Sequence, residues 1–413
     1  MNNNKKVYNI ILANSLMNNS NCGCLALTYM SIILIDQIFS SKGYQYKLYL
    51  TDSGWQNDCD YEFNVLGKTY KYTTCSYYNG ISWKVSLYKK IQDLLLLRRS
   101  SKRIFMKCDY ILTGGFGDSF SDIYGIERFL YVNHINRIAY ENNKPLCFLP
   151  QTIGPFYHED VKKEACKSLS RSCLCMSRDK LSQEFILNNI PSLNKAKEYI
   201  DMAFFLPYEK LSFSNENIHI GLNISGLLWN NGYTKNNEFG LTTDYKHLIR
   251  VLIDFFGKNP NTIIHIIPHV PDRIKTIDDD YSISYQLWKD CNNNRVILAP
   301  FFTNPIEAKN YIAGMDFFLG ARMHSTIAAF SSNVPVVPMS YSRKFEGLYN
   351  ETLNYPYVIN LKTMSLVEIL DFVSDTFNNR KIVADIIKER MNGVVEKKKM
   401  LLIEDLSRFF NIL

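Results

Sequence analysis

Two kinds of spacing are missing from this chain. Its ten cysteines include no Cys-x-x-Cys pair, and no Cys/His set has the intervals of a zinc site. A structural metal is therefore not expected, and the thiols read as reduced side chains. Cys147, inside Leu146-Cys-Phe-Leu, reads as a small hydrophobe. Neither the Gly-x-Gly-x-x-Gly dinucleotide fingerprint nor a P-loop lysine occurs. The N-terminal Met1-Asn-Asn-Asn-Lys-Lys has no long apolar h-region, and no run suggests a membrane span, so the expected compartment is the cytoplasm. Net charge is small, +7 over 413 residues, which is no nucleic-acid footprint but suits phosphorylated substrates or an anionic surface. Repeats and low-complexity segments are also missing.

What is there describes a folded protein, with 46% hydrophobic and 14% aromatic residues. A chain of this length exceeds one ordinary core, so two domains are expected. Buried-strand runs alternate with helical spacing: Val7-Tyr-Asn-Ile-Ile-Leu-Ala, then Leu25 to Phe39, Tyr46-Lys-Leu-Tyr-Leu, Tyr110-Ile-Leu-Thr, Leu146-Cys-Phe-Leu and Leu174-Cys-Met-Ser. Residues 52–102 are irregular and aromatic, with a helical stretch near Ile91. A polar break near Pro207 to Glu216 precedes a second series that starts at Ile218-His-Ile-Gly-Leu-Asn. The expected fold is α/β, two doubly wound Rossmann-like domains facing a cleft. Residues 1–207 would form the first domain, 208–385 the second, and 386–413 a closing C-terminal helix.

The densest chemistry lies in Gly320-Ala-Arg-Met-His-Ser, followed by Ser342-Arg-Lys-Phe. Apolar runs on either side put Arg322 and His324 where a strand ends and a helix begins, with Lys344 just past the next strand. That edge of an open α/β sheet is where ligands bind, and helix-start amides, a guanidinium, an imidazole and an ammonium there suit a small, multiply charged anion. Other strand exits carry Gly114-Gly115-Phe-Gly-Asp118, Leu149-Pro-Gln151-Thr-Ile-Gly-Pro-Phe, Ser177-Arg178-Asp179, Asn223-Ile-Ser225 and His269 after Pro268. Arg178 and Asp179 read equally as ligand contacts or as a solvated pair in which Ser177 or Asp179 caps the next helix. His265, within an apolar strand, reads as a core histidine.

The order of these pieces resembles the polysaccharide pyruvyl transferase family, over roughly residues 7 to 350: Asn21-Cys-Gly, Gly114-Gly115, Leu149 to Phe156, Ser177-Arg-Asp, Asp201-x-Ala-Phe, Asn223-Ile-Ser, Pro268-His269, Arg322-x-His324 and Tyr341 to Lys344. Two positions depart from the pattern. Cys24 stands where an acidic residue is usual, and Phe116 stands where a third glycine would be. The resemblance implies a GT-B-like fold and transfer of pyruvate from phosphoenolpyruvate, as the donor substrate and with no other cofactor, to two hydroxyls of a sugar as a ketal. It implies that His324 and Arg322 are catalytic. Lys344, Arg178, Asn223, Ser225, His269, Gly114, Gly115 and Gln151 would meet the substrates.

Phosphoenolpyruvate carries a carboxylate and a phosphate on one small frame, which forked and point positive charges match. Its methylene carbon must take a proton, a step for an imidazole that titrates near neutrality, so His324 is the candidate acid. Asp118, Asp179 and His269 are candidate bases. Two other readings stand beside this one: a GT-B glycosyltransferase with a nucleotide-sugar donor, and a non-catalytic sugar-binding protein of a polysaccharide assembly system. A lipid-linked acceptor would bring the basic stretches Leu97-Arg-Arg-Ser-Ser-Lys-Arg and Glu396-Lys-Lys-Lys to the inner membrane surface; alone, such runs read as solvated faces.

Overall fold

The computed structural model describes residues 6–52, 59–76, 104–194, 196–271 and 276–412. The chain divides into two compact units, Met1–Met17, Leu27–Met202 and Lys398–Leu413 forming the first, Asn18–Ala26 and Ala203–Lys397 the second. The division after Met202 falls a few residues before the polar break expected at 207. Neither unit is a single stretch of chain.

Seven strands build the first sheet: β1 (Val7–Ala13), β2 (Gln45–Asp52), β3 (Cys59–Val65), β4 (Lys68–Ser76), β5 (Tyr110–Thr113), β6 (Leu146–Gln151) and β7 (Leu174–Ser177). Their order is β3-β4-β2-β1-β5-β6-β7, all parallel except β3 on β4. Ile10, Ile11, Leu12 and Ala13 are fully buried, as befits an apolar strand at the centre of a doubly covered sheet. Helices α1 (Cys22–Ser41), α2 (Ile126–Glu141) and α3 (Glu159–Ser170) cross between its strands, and α4 (Lys180–Asn189) follows β7.

The β3–β4 hairpin is a correction to the irregular segment expected there. Leu66 and Gly67 take φ of +44° and +81°, the positive pair that a tight hairpin turn requires. The aromatics then stack across the strands, Tyr61 on Tyr72 and Phe63 on Tyr70, each with centroids 5.5 Å apart. The helical stretch expected near Ile91 and the basic run at 97–103 lie outside the described residues. Helix α1 corrects a second expectation, since it is long and apolar enough to cross a membrane by composition, and 72% of its apolar window is buried inside the protein. No disulfide forms among the described residues.

The second sheet is wholly parallel, in the order β10-β9-β8-β11-β12-β13. Its strands and helices are β8 (Ile218–Asn223), α5 (Gly226–Trp229), α6 (Tyr245–Gly257), β9 (Thr262–Ile266), α7 (Asp280–Cys291), β10 (Val296–Leu298), α8 (Pro305–Ile312), β11 (Phe317–Gly320), α9 (Met323–Ser331), β12 (Val336–Ser340), α10 (Arg343–Phe345) and β13 (Ile359–Asn360). Beyond these come α11 (Leu366–Asn378), α12 (Arg380–Arg390) and α13 (Glu396–Phe409). His265 of β9 is indeed a core residue. It bonds His219 at 2.9 Å and the Tyr311 hydroxyl at 2.7 Å, and burial, then His219, pushes its pKa down to about 3.

The closing segment belongs with the first unit from Lys398 onward. Tyr110 donates its hydroxyl to the Phe410 carbonyl at 2.8 Å, and the Phe410 ring packs on Phe39 at 5.0 Å. Asp405 accepts from Lys197 Nζ and from the Tyr199 hydroxyl, both at 2.8 Å. Asp405→Ala would strand that buried hydroxyl, so the urea midpoint should fall by the equivalent of about 1–3 kcal/mol, measured by circular dichroism.

Candidate functional site

The carboxyl ends of β8, β9, β11 and β12 carry the second unit's polar cluster. Arg322 is the N-cap of α9, and His324 lies in that helix's first turn. The backbone amide of Arg322 donates to Asn223 Oδ1 at 2.9 Å, and Asn223 Nδ2 donates to the Ile267 carbonyl at 2.9 Å. Asn223, fully buried, therefore ties three strand ends together. Ser225 caps α5 by accepting the Leu228 amide at 3.3 Å, and its own amide donates to the Tyr245 hydroxyl at 3.1 Å. Both residues, expected to meet the substrate, also have internal partners.

The Arg322 guanidinium grips two carboxylates. Nε donates to Asp280 at 3.1 and 3.2 Å, and Nη2 donates to Asp280 Oδ1 at 2.7 Å. Nη1 and Nη2 each reach Asp278 Oδ1 at 3.2 Å, and Nη2 also donates to the Asp278 carbonyl at 2.8 Å. Burial works to lower the guanidinium's pKa, and the two carboxylates outweigh it, leaving it raised. Asp280, with no exposed surface, further accepts from the amides of Gly226 at 2.7 Å, Val270 at 3.0 Å and His269 at 3.2 Å. No reading of the sequence singled out Asp280. Its only signal was an acidic run, Asp278-Asp-Asp, ahead of a helix, and Asp279 supplies that helix's cap.

His269 is 4% exposed, and its Nδ1 is buried without a hydrogen-bond partner. Burial first, then His324 and Arg322, push its pKa down to about 3, so the ring is neutral at physiological pH. Its carbonyl accepts the Cys22 amide at 3.2 Å, which docks the first turn of α1 here. Asn21 Oδ1 caps that turn through the amides of Gly23 at 2.9 Å and Cys24 at 3.3 Å. A methyl added to Gly23 would fall 2.5 Å from Cγ and 2.9 Å from Cβ of His324, and closer still to Nδ1. The glycine of the Asn-x-Gly motif is thus the surface on which the imidazole rests. Lys344, half-buried, sits over the Tyr341 ring at 5.8 Å, and Tyr341 is near enough to bear on the charge of Arg322.

In the first unit, the glycine loop after β5 folds down on the protein itself. Gln151, fully buried, donates through Nε2 to the carbonyls of Thr113 at 3.1 Å and Leu149 at 3.3 Å. A Cβ on Gly115 (φ +51°) would collide with Gln151 Oε1, so only glycine fits there. Gly114 has room, with Ser15 Oγ 3.9 Å from where its Cβ would be. Arg178, 2% exposed, donates Nη1 to Asp201 at 2.7 Å and Nε to Thr152 Oγ1 at 2.9 Å. Asp179 caps α4 through the Ser182 amide at 2.8 Å. Arg178 is therefore not solvated, and its charge is matched inside the fold. Of the basic run at 396–399, Lys398 turns to the Glu198 carbonyl and carboxylate, both at 3.2 Å.

Two parallel-dominated α/β sheets define a GT-B-like fold. The solved structures similar to this chain share it. A putative UDP-N-acetylglucosamine 2-epimerase from Listeria monocytogenes is 10% identical with a TM-score of 0.54, covering 98% of this chain and 97% of that one. An α,α-trehalose-phosphate synthase (UDP-forming) from Burkholderia vietnamiensis is 8% identical with a TM-score of 0.53, covering 98% and 100%. UDP-GlcNAc 2-epimerase from Neisseria meningitidis, bound to UDP-GlcNAc, is 10% identical with a TM-score of 0.53, covering 97% and 100%. No curated protein matches. The polysaccharide pyruvyl transferase family model matches residues 43–343, well over half the chain, and the chain belongs to that family. The match starts after α1 and stops one residue before Lys344, so Gly23 and Lys344 rest on geometry alone.

Gly23→Ala should displace the imidazole with little effect on the fold. Transfer activity should drop about 10²-fold while the melting temperature stays within a few degrees. His269 generates a pH test. Its depressed folded-state pKa means that the unfolded chain binds more protons between pH 6.5 and about 3. Stability should therefore fall as pH drops through that window, and urea titrations of His269→Gln should give a flatter limb there.

Proposed function

We propose that this protein transfers a pyruvyl group from phosphoenolpyruvate to a sugar of a polysaccharide or lipid-linked oligosaccharide, forming a ketal and releasing phosphate. The observation that carries the reading is the half-buried imidazole of His324, seated on Gly23 at the start of α9 and close to the neutral His269, in a chain of the pyruvyl transferase family. The N-terminal amides of α9 and the ammonium of Lys344 supply positive potential for an anionic donor. Arg322 contributes the outer edge of its guanidinium.

In this reading His324 protonates the methylene carbon of phosphoenolpyruvate, and the adjacent carbon gains the oxygen of one sugar hydroxyl. A second hydroxyl then attacks the same carbon, whose bond to the phosphate oxygen breaks. Of the two hydroxyl protons, one replaces that taken from His324 and the other leaves with phosphate. His269 keeps one ring nitrogen able to donate and the other able to accept, which suits it to orient the donor or relay a hydroxyl proton. The reaction is assigned to the cytoplasm, with a lipid carrier able to present the acceptor at the inner membrane face.

Phosphate release from phosphoenolpyruvate, measured with a panel of lipid-linked oligosaccharides, tests this reading. Wild type should release phosphate with at least one acceptor, and His324→Ala should lose about 10²–10⁴-fold in rate. No release with any acceptor, together with binding of a nucleotide sugar, would transfer the assignment to a glycosyltransferase.

A further inference from the structure

The guanidinium of Arg322 presents two edges, and they are held differently. The Nε/Nη2 edge belongs to Asp280, whose carboxylate has no exposed surface and also collects three backbone amides. That carboxylate cannot leave without stranding buried donors and a buried charge. The Nη1/Nη2 edge meets Asp278 Oδ1 at 3.2 Å on both nitrogens. The side chain of Asp278 is 30% exposed, and its other oxygen accepts from Tyr233, itself 48% exposed, at 2.8 Å. This second carboxylate has long contacts and a route to solvent.

The charge count points the same way. One guanidinium between two carboxylates leaves surplus negative charge at an edge where positive groups otherwise gather. An incoming phosphate or carboxylate would be repelled by Asp278, yet would match the Nη1 donor that Asp278 now takes. The Nη2 bond to the Asp278 carbonyl, at 2.8 Å, is independent of the side chain and would hold the guanidinium's orientation through an exchange.

We propose that Asp278 stands in for an anionic group of the substrate on the outer edge of Arg322, and that donor binding exchanges one for the other. Asp280 is the permanent counter-ion and Asp278 the exchangeable one. The inference rests on the reading of this site as a phosphoenolpyruvate site. It adds a residue that tunes donor affinity by competing for the donor's own partner.

Titration calorimetry with phosphoenolpyruvate on the full-length protein tests it. Asp278→Asn should bind about two- to fivefold more tightly than wild type, because a partly exposed ion pair and a like charge no longer oppose the ligand. In an Arg322→Lys background the same substitution should give less than half that gain, since a single ammonium cannot keep one edge on Asp280 while another donor changes partner. Equal or weaker binding by Asp278→Asn, or a full gain in the lysine background, overturns this inference and leaves the pyruvyl transfer reading standing. Phosphoenolpyruvate bound by neither wild type nor Asp278→Asn overturns both. Thermal melts of each variant separate a loss of binding from a loss of fold.

Discussion

A carboxylate buried without surface must be matched by donors from its surroundings, and the carboxyl-end edge of the second sheet is organised around that requirement. Asp280 draws in the amides after β8 and β9 and the guanidinium after β11. An unpartnered charge in such a place would cost several kcal/mol, so the three loops are held in one arrangement. His269 and His324 inherit their positions from it, because one supplies an amide to Asp280 and the other lies two residues beyond Arg322. The expensive interaction is thus spent on geometry.

The same logic recurs in the first unit with the roles reversed. There a buried arginine, Arg178, is met by Asp201 and Thr152, and the glycine loop packs on top of it through Gly117, whose Cβ would lie 3.0 Å from Nη1. Strand-end arginines in both units hold loops in place, and in both the partner carboxylate comes from a distant part of the chain. The groups of the second unit proposed to meet a ligand are the imidazole of His324, the ammonium of Lys344 and the outer edge of Arg322.

Much of the fold was legible because parallel strands covered on both faces must be continuous apolar runs. Val7 to Ala13, Leu146 to Leu149 and Phe317 to Leu319 all announced themselves in that way. The β3–β4 hairpin was less visible, since its register depends on Leu66 tolerating a positive φ and on aromatic pairing across the turn. Helix α1 was read as an ordinary amphipathic crossover, yet it is apolar nearly all round because the fold surrounds it. In the site, the residues of one contiguous motif were legible and their partners were not. Arg322 and His324 stand together in the sequence, whereas Asp280 is separated from Arg322 by two strands and two helices. Arg178 stands beside Asp179 in the sequence, whereas Asp201, which accepts from its guanidinium, lies beyond a helix.

The first unit is assembled from both ends of the chain, with Phe410 packed on Phe39 and bonded to Tyr110. On the ribosome, β1 to β7 are synthesised long before that final helix exists. The second unit is made almost entirely in the interval, so it can complete its core while the first still shows an open apolar flank. Domains usually fold in the order in which they are made. Here the part begun first is finished last, and a chain cut short near its end would leave the earliest strands exposed to aggregation.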